Sequence, residues 1–240
     1  MATTTPQGHT VKAFDEDLDQ LRTLVSEMGG RAEAALTGAM QALVRRDLDS
    51  AARLVLEDKR IDALEAEIER HVVKLIALRA PMADDLREVL AALRIAGTIE
   101  RMGDYAKNIA KRVPQIGESV KIEPIAILPA MASKVSDMVK AALDAFVARD
   151  PEGAARVCES DRAVDQFYDS IFRALLTHMM ENPHTITAST HLLFVARNLE
   201  RIGDHATNVA EMVYYAAKGE QMAPRKTRAA EHLNAGPEPR

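Results

Sequence analysis

The stretch that decides the fold occurs twice in this chain of 240 residues. It reads ERMGDYAKNIA at residues 100–110 and ERIGDHATNVA at residues 200–210, and seven of the 11 positions are identical. A second match lies upstream of each copy, where residues 46–53 align with residues 149–156. Self-similarity at a nearly fixed offset indicates an internal duplication. We therefore predict two structural units of similar architecture.

Both copies carry an apolar residue every three or four positions, which is the spacing of one face of an α-helix. The first stripe consists of Ile95, Ile99, Met102, Ala106, Ile109 and Val113. The second consists of Val195, Leu199, Ile202, Ala206, Val209 and Val213. Helix-favouring Ala, Leu, Arg and Glu are frequent throughout the chain, and Trp is absent. The pattern predicts an all-α protein in which these stripes form the packing seams.

Proline and polar turns divide the chain into six predicted helices, at residues 11–46, 48–79, 84–113, 130–149, 151–182 and 186–219. Asp84 is predicted to cap the third helix, and Asp150 the fifth, with Pro151 at its first position. Short connections predict two tandem antiparallel three-helix bundles, at residues 9–113 and 130–219. Residues 114–129, with three prolines, are predicted to be a linker, and residues 220–240 a disordered tail.

Composition and charge exclude several classes of function. The formal net charge is −5 with both signs interspersed, so we predict no direct binding of nucleic acid. The sequence has neither a secretory signal nor an apolar run of the roughly 20 residues that cross a bilayer. Cys158 is the only cysteine, which excludes an intramolecular disulfide framework. We expect a cytoplasmic protein without a membrane span.

Carboxylates one helical turn apart recur in both copies. The four pairs, all predicted to lie off the apolar stripe, are Glu100 with Asp104, Glu200 with Asp204, Asp58 with Asp62, and Asp161 with Asp165. Like charges at this spacing repel each other mildly. A hard divalent cation bound by both carboxylates would turn this repulsion into a net stabilisation, because such cations prefer oxygen ligands. Asn108 and Asn208 could add carbonyl oxygens. The alternative is that the carboxylates are solvated and paired with nearby bases, namely Arg101, Arg201, Lys59 and Arg162.

Motifs for organic cofactors are missing from the sequence. It contains no Gly-rich nucleotide loop and no nucleophile elbow, and its one Glu-x-x-His match, Glu181 to His184, is interrupted by Pro183. We therefore predict no organic cofactor and no enzymatic activity. The polar turn between the second and third helices is either a contact surface for a partner or a plain loop. Its candidate contact residues are Arg79, Asp85 and Arg87.

Four segments resemble proteins of the PhoU family. They are ERMGD at 100–104, ERIGDHATN at 200–208, HTVKAFDEDL at 9–18 and MGG at 28–30, and the turn at 79–87 is also similar. The resemblance covers residues 9–220 and implies two similar three-helix bundles. It implies divalent ions or iron or zinc clusters at Asp58, Asp62, Glu100 and Asp104 in the first bundle. In the second bundle the ligands would be Asp161, Asp165, Glu200 and Asp204.

The resemblance also implies a function. Members of the family restrain the phosphate-starvation response by contacting the ATPase of the phosphate ABC transporter and a sensor histidine kinase. A homodimer is a further expectation. Two alternatives stay open at this point: a carboxylate-bridged metal-binding protein or metalloenzyme, and a purely structural helical scaffold.

Overall fold

The computed structural model describes residues 7–116 and 122–223, and these two ranges contain no β-strand. The seven α-helices are α1 (Gln7–Arg45), α2 (Leu48–Glu57), α3 (Lys59–Arg79), α4 (Asp84–Ala110), α5 (Leu128–Ala148), α6 (Pro151–Glu181) and α7 (Ile186–Lys218). Short 3-10 helices lie at Val113–Gln115, Glu123–Ile127 and Pro183–Thr185. The all-α prediction is confirmed.

The second predicted helix is interrupted at Asp58, which separates α2 from α3. Asp58 keeps helical dihedral angles, with φ −53° and ψ −34°. However, the amide of Ile61 donates to the Asp58 carbonyl only three residues away, at 2.8 Å. This tighter turn breaks the regular helical ladder. With α2 and α3 taken as one interrupted helix, the six predicted helices and their order are confirmed.

The two copies share a backbone turn before α2 and before α6. Arg46 and Arg149, at equivalent positions, both adopt left-handed conformations with φ of 55° and 51°. The amide after each arginine donates to the carbonyl five residues before it, at 2.9 Å in both copies. This is the Schellman arrangement that ends a helix and reverses the chain. The duplication is therefore visible in the backbone as well as in the sequence.

The helix caps agree with prediction at one of two positions. Asp150 is the N-cap of α6 and Pro151 its first residue, as predicted. The predicted cap at Asp84 is wrong, because Ala83 occupies the N-cap position with φ 49° and Asp84 is already the first residue of α4. Asp84 instead pairs with Arg87 one turn later, at 2.6 Å.

The first bundle consists of α1 to α4 and the second of α5 to α7. All 12 residues of the two predicted seams are buried. The bundles also pack on each other, α4 against α7 and α1 against α5. At the α1–α5 contact, a Cβ atom added to the buried Gly29 would lie 2.4 Å from Leu143 Cδ1. The backbone of α1 thus approaches α5 closely at this glycine.

Parts of the predicted linker and tail, namely residues 117–121 and 224–240, lie outside the described residues. After residues 117–121 the chain forms the 3-10 helix Glu123–Ile127. Helix α5 then begins at Leu128, two residues earlier than predicted. Residues 220–223 are not helical. Within the described ranges, no helix combines the length and apolarity needed to cross a membrane.

Candidate functional site

In the first bundle, a lysine stands between two of the predicted carboxylates. Lys107 Nζ lies 2.5 Å from Asp58 Oδ2 and 2.5 Å from Asp104 Oδ1. Asp58 was predicted to lie off the core, and this is wrong: only 7% of it is exposed. The tight turn between α2 and α3 turns Asp58 towards α4, where Lys107 neutralises it.

The other carboxylates of this bundle form an acidic group beside that ion pair. Burial raises the pKa of Glu100, and the charges of Asp104, Glu65 and Asp62 raise it further, while Arg101 opposes them. Burial likewise raises the pKa of Glu65, with smaller contributions from Asp62 and Glu69. These carboxylates are therefore close enough to repel one another. Glu65 was missed in the sequence, although its place three residues after Asp62 is a helical-neighbour spacing.

The second bundle neutralises its carboxylates differently. Glu200 is 9% exposed and forms an ion pair with Arg197, so the prediction that it points away from the core is also wrong. Burial raises the pKa of Glu200, Arg197 opposes that effect, and the charges of Asp204 and Asp165 add to it. The Arg197 guanidinium also lies over the Tyr168 ring, 5.7 Å from its centre. Asp161, Asp165 and Asp204 are partly exposed.

Three of the aligned positions at which the two copies differ account for this difference in neutralisation. Lys107 corresponds to Thr207, Glu65 to Tyr168, and Gly97 to Arg197. Thr207 is fully buried, and its hydroxyl donates to the Asp204 carbonyl at 2.7 Å. The first bundle consequently carries more negative charge around a lysine, and the second a buried glutamate held by an arginine.

Asn108 and Asn208 are partly buried one turn beyond the carboxylate motifs. The side-chain amide of Asn208 lies 3.5 Å from His205 Nδ1. Across residues 7–116 and 122–223, no three His, Cys, Asp or Glu side chains are gathered as a ready cation site. The predicted ligand set therefore stays a prediction.

The predicted contact turn is held by internal ion pairs. Arg79 Nε donates to Asp17 Oδ2 of α1 at 2.9 Å, and Arg87 pairs with Asp84. Asp85 is partly exposed and lines a cavity of about 180 Å³ between the bundles, together with Glu88, Phe146, Arg149 and Val213. Met82 at the tip of the turn is 80% exposed.

Three of the polar or aromatic contacts between the bundles involve α4 or the residues just after it. Glu88 of α4 is buried between Arg22 of α1, at 2.6 Å, and Arg149, which follows α5. The Tyr105 ring stacks on the His205 ring with centres 5.5 Å apart. A third contact joins Arg112 to His191, at 3.2 Å, and to the face of Phe194, at 4.2 Å.

The stacked histidine predicts loss of stability in acid. Burial lowers the pKa of His205, the positive charges of Arg101 and Arg201 lower it further, and Asp204 partly opposes them. The unfolded chain therefore takes up this proton first, and the free energy of unfolding falls as the pH drops below about 6.5. Urea unfolding between pH 7 and pH 5 should show a shallower decline for His205→Phe, which keeps the stack on Tyr105.

A matched control for this prediction is His184→Gln, because His184 is exposed. It should leave the pH dependence close to that of the wild type. Equal slopes for His205→Phe and the wild type would show that His205 does not carry the effect.

The sequence pattern of the PhoU domain matches this chain twice, at residues 25–113 and 128–213. The chain belongs to the PhoU family. A relative in Zymomonas mobilis, named phosphate-specific transport system accessory protein PhoU homolog, is 58% identical over 92% of this chain and 93% of that protein. A relative of the same name in Caulobacter vibrioides is 46% identical over 89% of this chain and 94% of that protein.

Two solved PhoU structures share the fold. Crystal structures of PhoU from Pseudomonas aeruginosa and of the phosphate transport system regulatory protein PhoU from Streptococcus pneumoniae superpose with TM-scores of 0.81 and 0.82. Their sequence identities are 35% and 27%, they cover 86% and 88% of this chain, and each is covered completely. The predicted resemblance and the tandem bundle fold are therefore confirmed.

Proposed function

We propose that this protein is a regulatory accessory protein of a phosphate uptake system, acting in the cytoplasm. In this role it restrains the phosphate-starvation response when phosphate is plentiful. It acts as a non-enzymatic adapter that contacts the ATPase of the phosphate ABC transporter and a sensor histidine kinase. The observation that carries the proposal is the match, over nearly the full length of both chains, to relatives named as accessory proteins of phosphate-specific transport.

The turn between α3 and α4 supports the adapter role as a candidate contact surface. Its tip exposes the apolar Met82, while Arg79 and Asp17 fix its base against α1. An exposed apolar side chain on a rigid base suits a partner contact, because little conformational entropy is lost on binding. We assign the contact to the tip and to Asp85, and we give Arg79 and Arg87 the role of holding the turn in place.

A gene deletion tests the adapter proposal. In high phosphate, the deletion strain should express a phosphate-starvation reporter that the wild type keeps silent, and the plasmid-borne gene should silence it again. Tagged protein from the same cells should co-purify with the transporter ATPase or the sensor kinase. Normal repression in the deletion strain would contradict the proposal. Light scattering of the purified protein would test the expected homodimer.

A specific observation favours metal binding as a second candidate function. Asp62, Glu65 and Glu100 repel one another, and Arg101 opposes this repulsion without cancelling it. Carboxylate oxygens with such an excess of negative charge suit a hard divalent cation. The second bundle suits a cation less well. Arg197 already forms an ion pair with Glu200, and Tyr168 stands at the position aligned with Glu65 of the first bundle. If the protein is only a scaffold, Glu100→Ala combined with Glu200→Ala will change neither metal content nor regulation.

A further inference from the structure

The strongest unexplained feature of the first bundle is the lysine inside its carboxylate cluster. Lys107 Nζ contacts Asp58 and Asp104 at equal distances of 2.5 Å, so the two acceptor oxygens lie within about 5 Å of each other. One acceptor comes from the α2–α3 turn and the other from α4. An ammonium group at this point links the two elements as a shared cation would.

The surroundings keep this ammonium charged. A lysine amine is ordinarily charged well above neutral pH, and two carboxylate oxygens at 2.5 Å accept hydrogen bonds from this one. Lys107 is thus a cation throughout the physiological pH range. It stays in place because Asp58 is buried and has this ammonium as its ion-pair partner.

In the second bundle, a positively charged side chain at a different aligned position also pairs with a buried carboxylate. Thr207 occupies the aligned position of Lys107, yet the buried Glu200 is held by Arg197 from one turn earlier in α7. Both copies therefore place a basic side chain of their own on a buried carboxylate of the motif. The shared feature is the internal positive charge, since the residue that supplies it differs.

We propose that Lys107 is the built-in counterion of the first carboxylate cluster, and that it keeps a divalent metal ion from Asp58 and Asp104 unless it is displaced. The proposal concerns the carboxylate cluster of the second candidate function and does not depend on the adapter role. Its chemistry is competition between one ammonium and one metal ion for the same two oxygens. Removing the ammonium therefore opens the oxygens to the metal.

The test is a calorimetric titration of the metal-free full-length protein with Mn²⁺. Lys107→Gln, which keeps the length of the side chain largely intact, should bind Mn²⁺ about tenfold tighter than the wild type, because ligand charge sets affinity at such sites. Adding Asp58→Asn to that variant should remove the gain. The matched control is Lys111→Gln, which removes the same charge from an exposed position one turn later.

Equal Mn²⁺ affinity of Lys107→Gln and the wild type would overturn the proposal, and so would an equal gain for Lys111→Gln. A second measurement on the wild type covers the case in which Lys107→Gln does not fold. An amine-reactive reagent should modify Lys107 much more slowly than Lys111 in the metal-free protein, and Asp58→Asn combined with Asp104→Asn should remove this protection. Equal modification rates would contradict the proposal, whatever the outcome of the reporter assay.

Discussion

Glu88→Gln is expected to destabilise the protein by about 2 kcal/mol, because it removes the buried negative charge that lies between two arginines. The variant keeps the shape of the side chain but leaves Arg22 and Arg149 facing each other as like charges. Burial and the charge of Arg22 already lower the pKa of Arg149. Both arginines are partly exposed, so the loss should be smaller than for a fully buried pair. Urea unfolding at pH 7 measures it.

Asp19→Asn is the matched control for this prediction. Asp19 also pairs with Arg22, at 2.7 Å, but its side chain is 72% exposed. An exposed pair of this kind contributes about 0.5 kcal/mol or less, so the control should stay close to the wild type. If both variants lose the same stability, the contact between Glu88 and the two arginines does not join the bundles in the way described.

Two adjacent glycines of α1 are expected to respond oppositely to the same substitution. Gly29→Val should cost about 2 kcal/mol, because its new side chain would overlap Leu143 of α5, which lies within 3.1 Å of the added Cβ at three atoms. Gly30→Val should be neutral or stabilising by a few tenths of a kcal/mol, since no atom lies within 4 Å of its added Cβ and valine favours helix over glycine.

Thermal unfolding of the two glycine variants measures the difference directly. Their side chains are identical and their positions adjacent, so the helix propensity gained is the same in both. A similar loss in both variants would contradict the close approach of α1 to α5. A loss confined to Gly29→Val would show that the contact between the bundles is present in solution.

The sequence allowed prediction of the helices and seams because these depend on local spacing. All 12 seam residues are buried, and the Asp150–Pro151 start of α6 lies where cap chemistry placed it. The ion pair of Asp104 with Lys107 and that of Glu200 with Arg197 also have a local signal, a spacing of three residues. A basic residue three positions from a motif carboxylate on one helix therefore predicts such a pair.

Contacts between helices could not be predicted in the same way. The burial of Asp58 depends on the break between α2 and α3, and Lys107 reaches it across 49 positions of sequence. The pairing of Glu88 with Arg149 requires the rotation of α4 and the packing of the second bundle on the first. The residue spacing within a single helix determines neither the rotation of α4 nor the packing of the bundles. These polar partners are therefore visible only in the assembled structure.

The stacked rings between the bundles have a geometric consequence. Tyr105 and His205 occupy the same position in the two repeats, and they contact each other. The helices that carry them, α4 and α7, are also equivalent, as are α1 and α5 at the second contact. In a symmetric pair, a residue meets its own equivalent only near a two-fold axis. The chain thus has the architecture of an isologous dimer joined into one polypeptide. Because both repeats lie in one chain, a residue in one repeat can change while its equivalent in the other repeat stays the same.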